Sequence, residues 1–438
     1  MSANPQSFHP HALAEALAPW RGAPMFLIAY SGGRDSHALL HAAADLGLPL
    51  RAIHVDHALQ RESANWARHC RRVCEALGVS LEVRRVAVDP RGQGIEAAAR
   101  AARYGVFEEL LEAGECLVTA HHADDQAETR LLRVLRGTGI DGLAGMPAER
   151  PLGRGRLIRP LLTFSRAAIT AYALEQGLTW IDDPSNRSDA FDRNFLRESV
   201  LPLLEERWPD VPSRLARLGG HAGDAVRLLD RYAREDLNRA GAPRPEVEAL
   251  RRLEPLRRAA AIRLWTRDAG LRPPPEARLR QGLEDLLSAR PDAEPLLAWT
   301  DGQIRRFAGR LHLLPPALPQ APAGSAFWDG RESLRFPGLG ILEPGAGRGG
   351  LDPGVFTRAT VSVRFRRGGE SLRLGGAGRS LKKLLQQWGV PPWERERLPL
   401  IYVGEELAAV PGHAVADTCR SRQDGVVPVW RPRWTEPL

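Results

Sequence analysis

Residues 31–36 read Ser-Gly-Gly-Arg-Asp-Ser, directly after the apolar run at 25–28 and ahead of small and apolar residues with a helical pattern. Two adjacent glycines let a backbone turn sharply and come close to a ligand. A helix that begins there presents unpaired N–H groups and the positive end of its dipole, which together suit a phosphate. Asp35 puts a carboxylate inside that anion site, which makes sense when a divalent cation lies between it and the phosphate oxygens. The stretch has neither the lysine of G-x-x-x-x-G-K-[ST] nor the spacing of G-x-G-x-x-G, so neither of those loops applies. The purely structural alternative is Ser31 or Ser36 capping a helix behind a tight glycine turn.

The stretch HHADDQAET at 121–129 carries a second kind of chemistry. A helix starting near Ala123 puts Asp125 and Glu128 three residues apart on one face, beside the end of a strand closing at Ala120. Two carboxylates aimed at one spot can hold a metal, exchange protons or receive a cationic substrate. Asp124 and Asp125 could instead serve only the helix N-terminus, with His121 and His122 structural. A zinc site is disfavoured, because the histidines are adjacent rather than four apart and no cysteine lies near.

The elements that position these residues follow from periodicity. Runs at 25–30, 50–55, 81–88 and 116–120 read as short strands separated by helical patterns, which predicts a parallel sheet covered on both faces. Ligands of such sheets sit outside the carboxyl ends of strands, where both motifs fall. From 211 to 312 strand patterns give way to a helical one, with Leu215, Leu218, Leu229, Tyr232 and Leu237 among arginines. The region 313–355 is expected as a linker, since it opens on LLPPALPQAPAGSA and holds the glycine-rich EPGAGRGGLDPG, expected as a loop. Residues 356–438 suggest a small terminal domain of strands with one helix.

Composition sets the bounds. A chain of 438 residues can hold two to four domains, and no apolar run approaches the roughly 20 residues a bilayer span needs. No export signal is visible at the start, so a cytoplasmic, membrane-free protein is expected. Four scattered cysteines, Cys70, Cys74, Cys116 and Cys419, do not make a disulfide framework. The net charge of +8 rests almost wholly on arginine, because Lys382 and Lys383 are the only lysines. Arginine forks grip phosphates, so a polyanionic partner suits the composition, although a genome-wide bias would produce it too.

SGGRDS resembles the pyrophosphate loop of the N-type ATP pyrophosphatases, enzymes that split ATP to AMP and pyrophosphate while adenylating an acceptor oxygen. The likeness narrows with HHADDQAET, RGTGIDGLAGM at 136–146, RPLL at 159–162, DDPSN at 182–186 and RNFLR at 193–197. These occur in the order and spacing of the bacterial tRNA(Ile)-lysidine synthetase family. VRFRRGGE and LKKLLQQWGVPPWERERLPLIYVGEELAAV are similar to that family's C-terminal domain, and the helical middle matches least specifically.

The resemblance implies a Rossmann-like α/β catalytic domain over 1–210, a helical domain over 211–312 and a small α+β C-terminal domain over 356–438. It implies ligation of free L-lysine to carbon 2 of the wobble cytidine in tRNA(Ile) with anticodon CAU, with ATP as co-substrate and Mg²⁺. Ser31, Gly32, Gly33, Arg34, Asp35 and Ser36 would cradle pyrophosphate, with Asp35 on the metal; His54 and His57 of HVDHALQ would lie near the nucleotide. Arg100 and Arg103 would stabilise charge on the α-phosphate, and Asp125 and Glu128 would receive the lysine. Arg197 is carried over as catalytic, and Asn194, Asn186 and Asp183 as active-site lining, although DDPSN also suits a simple turn. Arg364, Arg366, Arg379, Lys382 and Lys383 are the candidate tRNA contacts, with ordinary surface charge as their alternative; a homodimer is allowed.

Three other readings compete. A tRNA thiolase would use the same adenylation but needs a reactive cysteine or cluster, whereas Cys70 and Cys74 sit four apart in a helical pattern. A small-molecule synthetase would not require the basic helical and terminal regions. A non-enzymatic tRNA-binding protein would leave the loop and the paired acids without a purpose.

Overall fold

In the computed structural model, residues 7–57, 62–88, 94–182, 192–290 and 293–433 are described. They divide into two compact units, 1–227 and 228–438. The first unit is built on β1 (Phe26–Ala29), β2 (Leu50–Asp56), β3 (Ser80–Arg85), β4 (Cys116–Val118), β5 (Glu149–Leu152) and β6 (Gly155–Ile158). They hydrogen-bond in the order β3-β2-β1-β4-β6-β5, all parallel except β5, which runs against β6. The expected strands at 81–88 and 116–120 end earlier, at Arg85 and Val118. The β5–β6 hairpin carries no clear alternation, and its Pro151 sits on the sheet edge, where a missing N–H costs no ladder bond.

Helices α1 (Pro10–Ala16), α2 (Arg34–Asp45), α3 (Ser63–Ala76), α4 (Ile95–Leu110), α5 (Ala123–Leu135), α6 (Ile140–Leu143) and α7 (Arg166–Glu175) complete most of this unit. Successive side chains of β1 enter opposite cores. Phe26 and Ile28 pack with Leu39, Leu40, Phe164 and Ile169, while Leu27 packs with Ile53, Phe107, Leu117 and Leu157. Burial on both faces explains the unbroken apolar run. The chain moves from β1 outward to β3 and returns on the other side of β1 as β4. That reversal leaves a crevice beyond the carboxyl ends of β1 and β4.

Beyond residue 210 the structure differs from several expectations. The region 211–312 is helical over Val211–Arg239, Val247–Arg251, Pro255–Asp268 and Glu276–Ser288, but Leu296–Ala298, Gln303–Phe307 and Arg310–Leu314 form a three-stranded antiparallel sheet. The Ala308-Gly309 turn joining the last two has φ of 47° and 73°, the left-handed pair that a two-residue hairpin demands. The long helix Val211–Arg239 runs through residue 227, where the two compact units divide.

The region 313–355, expected as a linker, carries strands at Ala326–Phe327, Leu334–Phe336 and Gly340–Arg348. The last pairs residue for residue with Asp424–Pro432, so half of the expected loop EPGAGRGGLDPG is strand. Its glycines admit a neighbouring backbone: a Cβ on Gly345 would lie 3.0 Å from the Val427 carbonyl oxygen. The terminal part holds a five-stranded sheet and three short helices, Val355–Arg358, Leu381–Gln387 and Pro392–Arg395, rather than one. Among the described residues, no helix is long and apolar enough to cross a membrane.

Leu39 is 0 % exposed on α2, the helix whose N-terminus follows the glycine loop. Leu39→Ala should lower unfolding free energy by about 2–5 kcal/mol, measured by urea denaturation of the folded chain.

Candidate active site

The loop after β1 is shaped by its own short side chains. Gly32 has φ of +85°, and a Cβ there would meet Ile181 Cδ1 at 2.5 Å, so only glycine fits. Ile181 N–H donates to the Gly32 carbonyl at 2.9 Å and pins the turn. Ser36 Oγ donates to the Gly33 carbonyl at 2.9 Å and lies 3.0 Å from Ser31 Oγ, which accepts from Gly33 N–H. Gly33 then caps α2 without a side chain, leaving the first-turn N–H groups available for a ligand.

This loop forms one wall of a cleft of about 450 Å³. Ser31, Gly33, Arg34, Asp35 and Ser36 line it together with Arg100, Arg103, His121, Asp125 and Arg197. Residues from four separated motifs thus converge at the switch point. Arg103 also donates to His57 Nε2 at 3.2 Å, while burial and the Arg103 charge push the His57 imidazole down to about 4. His54 does not line the cleft: it is 5 % exposed, its ring bonded to the Tyr30 carbonyl at 3.0 Å and close to Cys70 Sγ.

The start of α5 gathers charge. His122 is buried with Nε2 at 3.5 Å from Asp35 and 3.6 Å from Asp125, and Nδ1 at 3.5 Å from Asp124. Burial alone would lower its pKa, but these three carboxylates outweigh it and raise the imidazole to about 9. Burial would likewise raise Asp35, yet His122 and Arg34, the latter at 2.9 Å, bring its carboxyl down to about 2. The cleft therefore keeps Asp35 ionised at neutral pH.

Asp125 and Glu128 share one face of α5 as the spacing predicts, and both are buried. Neither is free. Glu128 accepts from Arg166 Nη2 at 3.0 Å, Arg193 Nε at 2.8 Å, and Arg197 Nε and Nη2 at 2.7 and 2.9 Å. Asp125 Oδ1 accepts from Arg193 at 3.1 Å and Arg197 at 3.3 Å, and Oδ2 accepts from His122 N–H at 3.0 Å. Burial would raise the Asp125 pKa, but His122 and Arg193 hold it below the ordinary value. Arg193 and Arg197 stand four apart along Asp192–Phe195 and the wider helical turn Leu196–Val200, so one helix face delivers both. That spacing was available in RNFLR; Arg166, the first residue of α7, has no sequence signal at all.

RGTGIDGLAGM is fastened to the back of α5. Gln126 exchanges two 2.7 Å bonds with the Met146 backbone, and Arg133 donates to the Gly142 and Gly145 carbonyls at 3.1 and 2.8 Å. Asn194 lies on the same short helix as Arg193, whereas Asp183 and Asn186 lie outside the described residues.

Among the expected tRNA contacts, Arg364 is tied to both Glu405 oxygens at 2.7 and 2.9 Å and stacks 4.6 Å over Tyr402. Arg366 pairs with Glu370 at 3.7 Å. Arg379, Lys382 and Lys383 are exposed, beside exposed Arg373 on the hairpin of Ser371–Leu374 and Ala377–Ser380, and none of the four forms an ion pair among the described residues.

A glycine loop between β1 and α2 at the switch point of a parallel sheet, with arginines and carboxylates around it, defines an ATP-using enzyme of the PP-loop class. The PP-loop domain family model matches residues 7–204, the TilS substrate binding domain 246–312 and the TilS substrate C-terminal domain 361–430. The tRNA(Ile)-lysidine synthase of Alkalilimnicola ehrlichii is 46 % identical over 414 residues, 92 % of both chains. Those of Methylococcus capsulatus and Pseudomonas syringae are 42 % and 43 % identical, covering 88 % and 98 % of this chain and 91 % and 96 % of theirs. The chain belongs to the tRNA(Ile)-lysidine synthase family, a family of ligases.

The cysteines are placed against the thiolase alternative. All four are free and buried, and burial pushes Cys70 up to about 12 and Cys74 and Cys116 to about 11. At about pH 8 the folded chain should leave all four thiols unreactive to Ellman's reagent over minutes and release them on denaturation. Gly32→Ala should raise the KM for ATP at least about tenfold while circular dichroism stays native, because the strain at φ of +85° and the contact with Ile181 distort the loop that faces the cleft.

Proposed function

We propose that the cleft ligates free L-lysine to carbon 2 of the wobble cytidine of tRNA(Ile) with anticodon CAU, through an adenylated cytidine. The convergence of the SGGRDS loop and arginine-bound Asp125 of α5 in one cleft carries this reading. Oxygen 2 of cytosine is a poor leaving group. Its attack on the α-phosphate of ATP, with loss of pyrophosphate, converts it into one that departs as AMP when the lysine amine adds to carbon 2.

Each wall suits one part of that sequence. The first turn of α2, in a loop shaped by Ser31 and Ser36, offers N–H donors to the departing pyrophosphate, and Arg100 and Arg103 offer charge to the α-phosphate. The amine must be neutral when it attacks, and Asp125, on the cleft wall, would accept its proton or hold its cationic form beforehand. Mg²⁺ would be held by Asp35, an ionised carboxylate facing the phosphate site, with nucleotide oxygens completing its shell. Such an ion would neutralise charge on the pyrophosphate.

The cytidine must leave its anticodon loop to enter, as unstacked single-stranded bases can. Exposed Arg379, Lys382 and Lys383 would meet tRNA phosphates, each contact adding salt dependence.

Labelled lysine should enter a tRNA(Ile) transcript of anticodon CAU only when ATP is present, and omission of either nucleic acid or ATP should abolish it. Asp125→Asn should cut incorporation at least about a hundredfold; near-normal activity would remove Asp125 from the site.

A further inference from the structure

Glu128, the deeper of the two acids of α5, is not open to an incoming amine. Glu128 is 0 % exposed, and both its oxygens accept guanidinium N–H groups. An ammonium could reach it only by expelling a guanidinium from a buried pair, which is strongly unfavourable. Three guanidinium groups converge on the two carboxylates of α5. Arg166 and Arg197 line the cleft, and among the described residues Arg166 commits only Nη2 of its side chain and Arg197 leaves Nη1 uncommitted. A planar fork held by carboxylate on some of its donors, with others to spare, suits a second oxyanion.

The reaction brings two kinds of oxyanion into the cleft. The phosphates already have the α2 N-terminus, Arg100 and Arg103 on its walls. The anion left without a partner is the carboxylate of the amino acid. Resting on the ligase reading above, we propose that Arg166, with Arg197, binds the α-carboxylate of lysine, and that Glu128 is a positioning residue that aims these arginines. The acceptor amine is then selected as part of an amino acid: the carboxylate anchors one end and leaves the ε-amine free to extend toward the activated base. An amine lacking the carboxylate would leave the guanidinium groups facing an uncharged group and be rejected.

The test compares lysine with lysinamide, which keeps both amines and loses the negative charge. With the full-length chain, ATP and tRNA, lysinamide should have a kcat/KM about tenfold to a hundredfold below that of lysine, the range for losing a charged hydrogen bond. Arg166→Met should raise the KM for lysine by a similar factor, leave the KM for ATP within about twofold, and erase most of the preference over lysinamide. Arg166→Lys, which keeps the charge and loses the fork, should fall between. Glu128→Gln should reduce the same preference, because its arginines lose the charge that aims them.

Equal use of lysine and lysinamide by the unaltered chain would overturn the proposal, as would an Arg166→Met chain that keeps the preference. So would a defect in that variant confined to tRNA-dependent pyrophosphate release, which would assign the arginine to phosphate. Absence of lysine incorporation by the unaltered chain would instead overturn the ligase reading itself. If Arg166→Met fails to fold, the unaltered chain and Arg166→Lys still decide between these outcomes.

Discussion

A fully buried glutamate bonded to three arginines is the constraint on which the catalytic unit depends. Glu128 lies at 0 % exposure, and its partners come from 38 to 69 residues further along the chain. A carboxylate buried without those partners would be very costly, and removing one member of such a pair commonly costs about 3–5 kcal/mol. The cluster therefore locks α5 to the start of α7 and to the helix carrying Arg193 and Arg197. Because α5 starts where β4 ends, the same lock sets the acids against the glycine loop after β1. His122 extends the arrangement, lying within 3.6 Å of both Asp35 and Asp125.

The choice of cation has a chemical logic. Every basic side chain on the wall of the cleft apart from His121 is an arginine, and both lysines of the chain lie in the second compact unit. A guanidinium stays charged at any working pH and is no nucleophile, whereas a lysine amine that lost its proton would be one. His121 is held neutral, since burial and nearby arginines bring it down to about 4.

Burial acts differently on the thiols. Cys70 and Cys74 lie on the α3 face packed against the sheet, and Cys116 within β4, so none presents a thiolate to a substrate. The buried cysteines of this unit act as small apolar residues.

The amino-acid sequence by itself determined what local physics controls. Doubly buried strands need unbroken apolar runs, a sharp turn ahead of a helix needs Gly32, and a helical spacing of three puts Asp125 and Glu128 on one face. Those features located the sheet, the loop and the acids, and the order of motifs located the family. What tertiary structure alone decided is where long side chains and weakly patterned segments find partners. Nothing local distinguishes Arg166 from the many other arginines until α7 brings it to Glu128, nor assigns His54 to the Tyr30 carbonyl rather than to a ligand. Gly340–Arg348 is a strand along its whole length because Asp424–Pro432, distant in sequence, pairs with every residue of it, while Leu334–Phe336 pairs only with its start; glycine and proline contribute too little side-chain pattern to announce it.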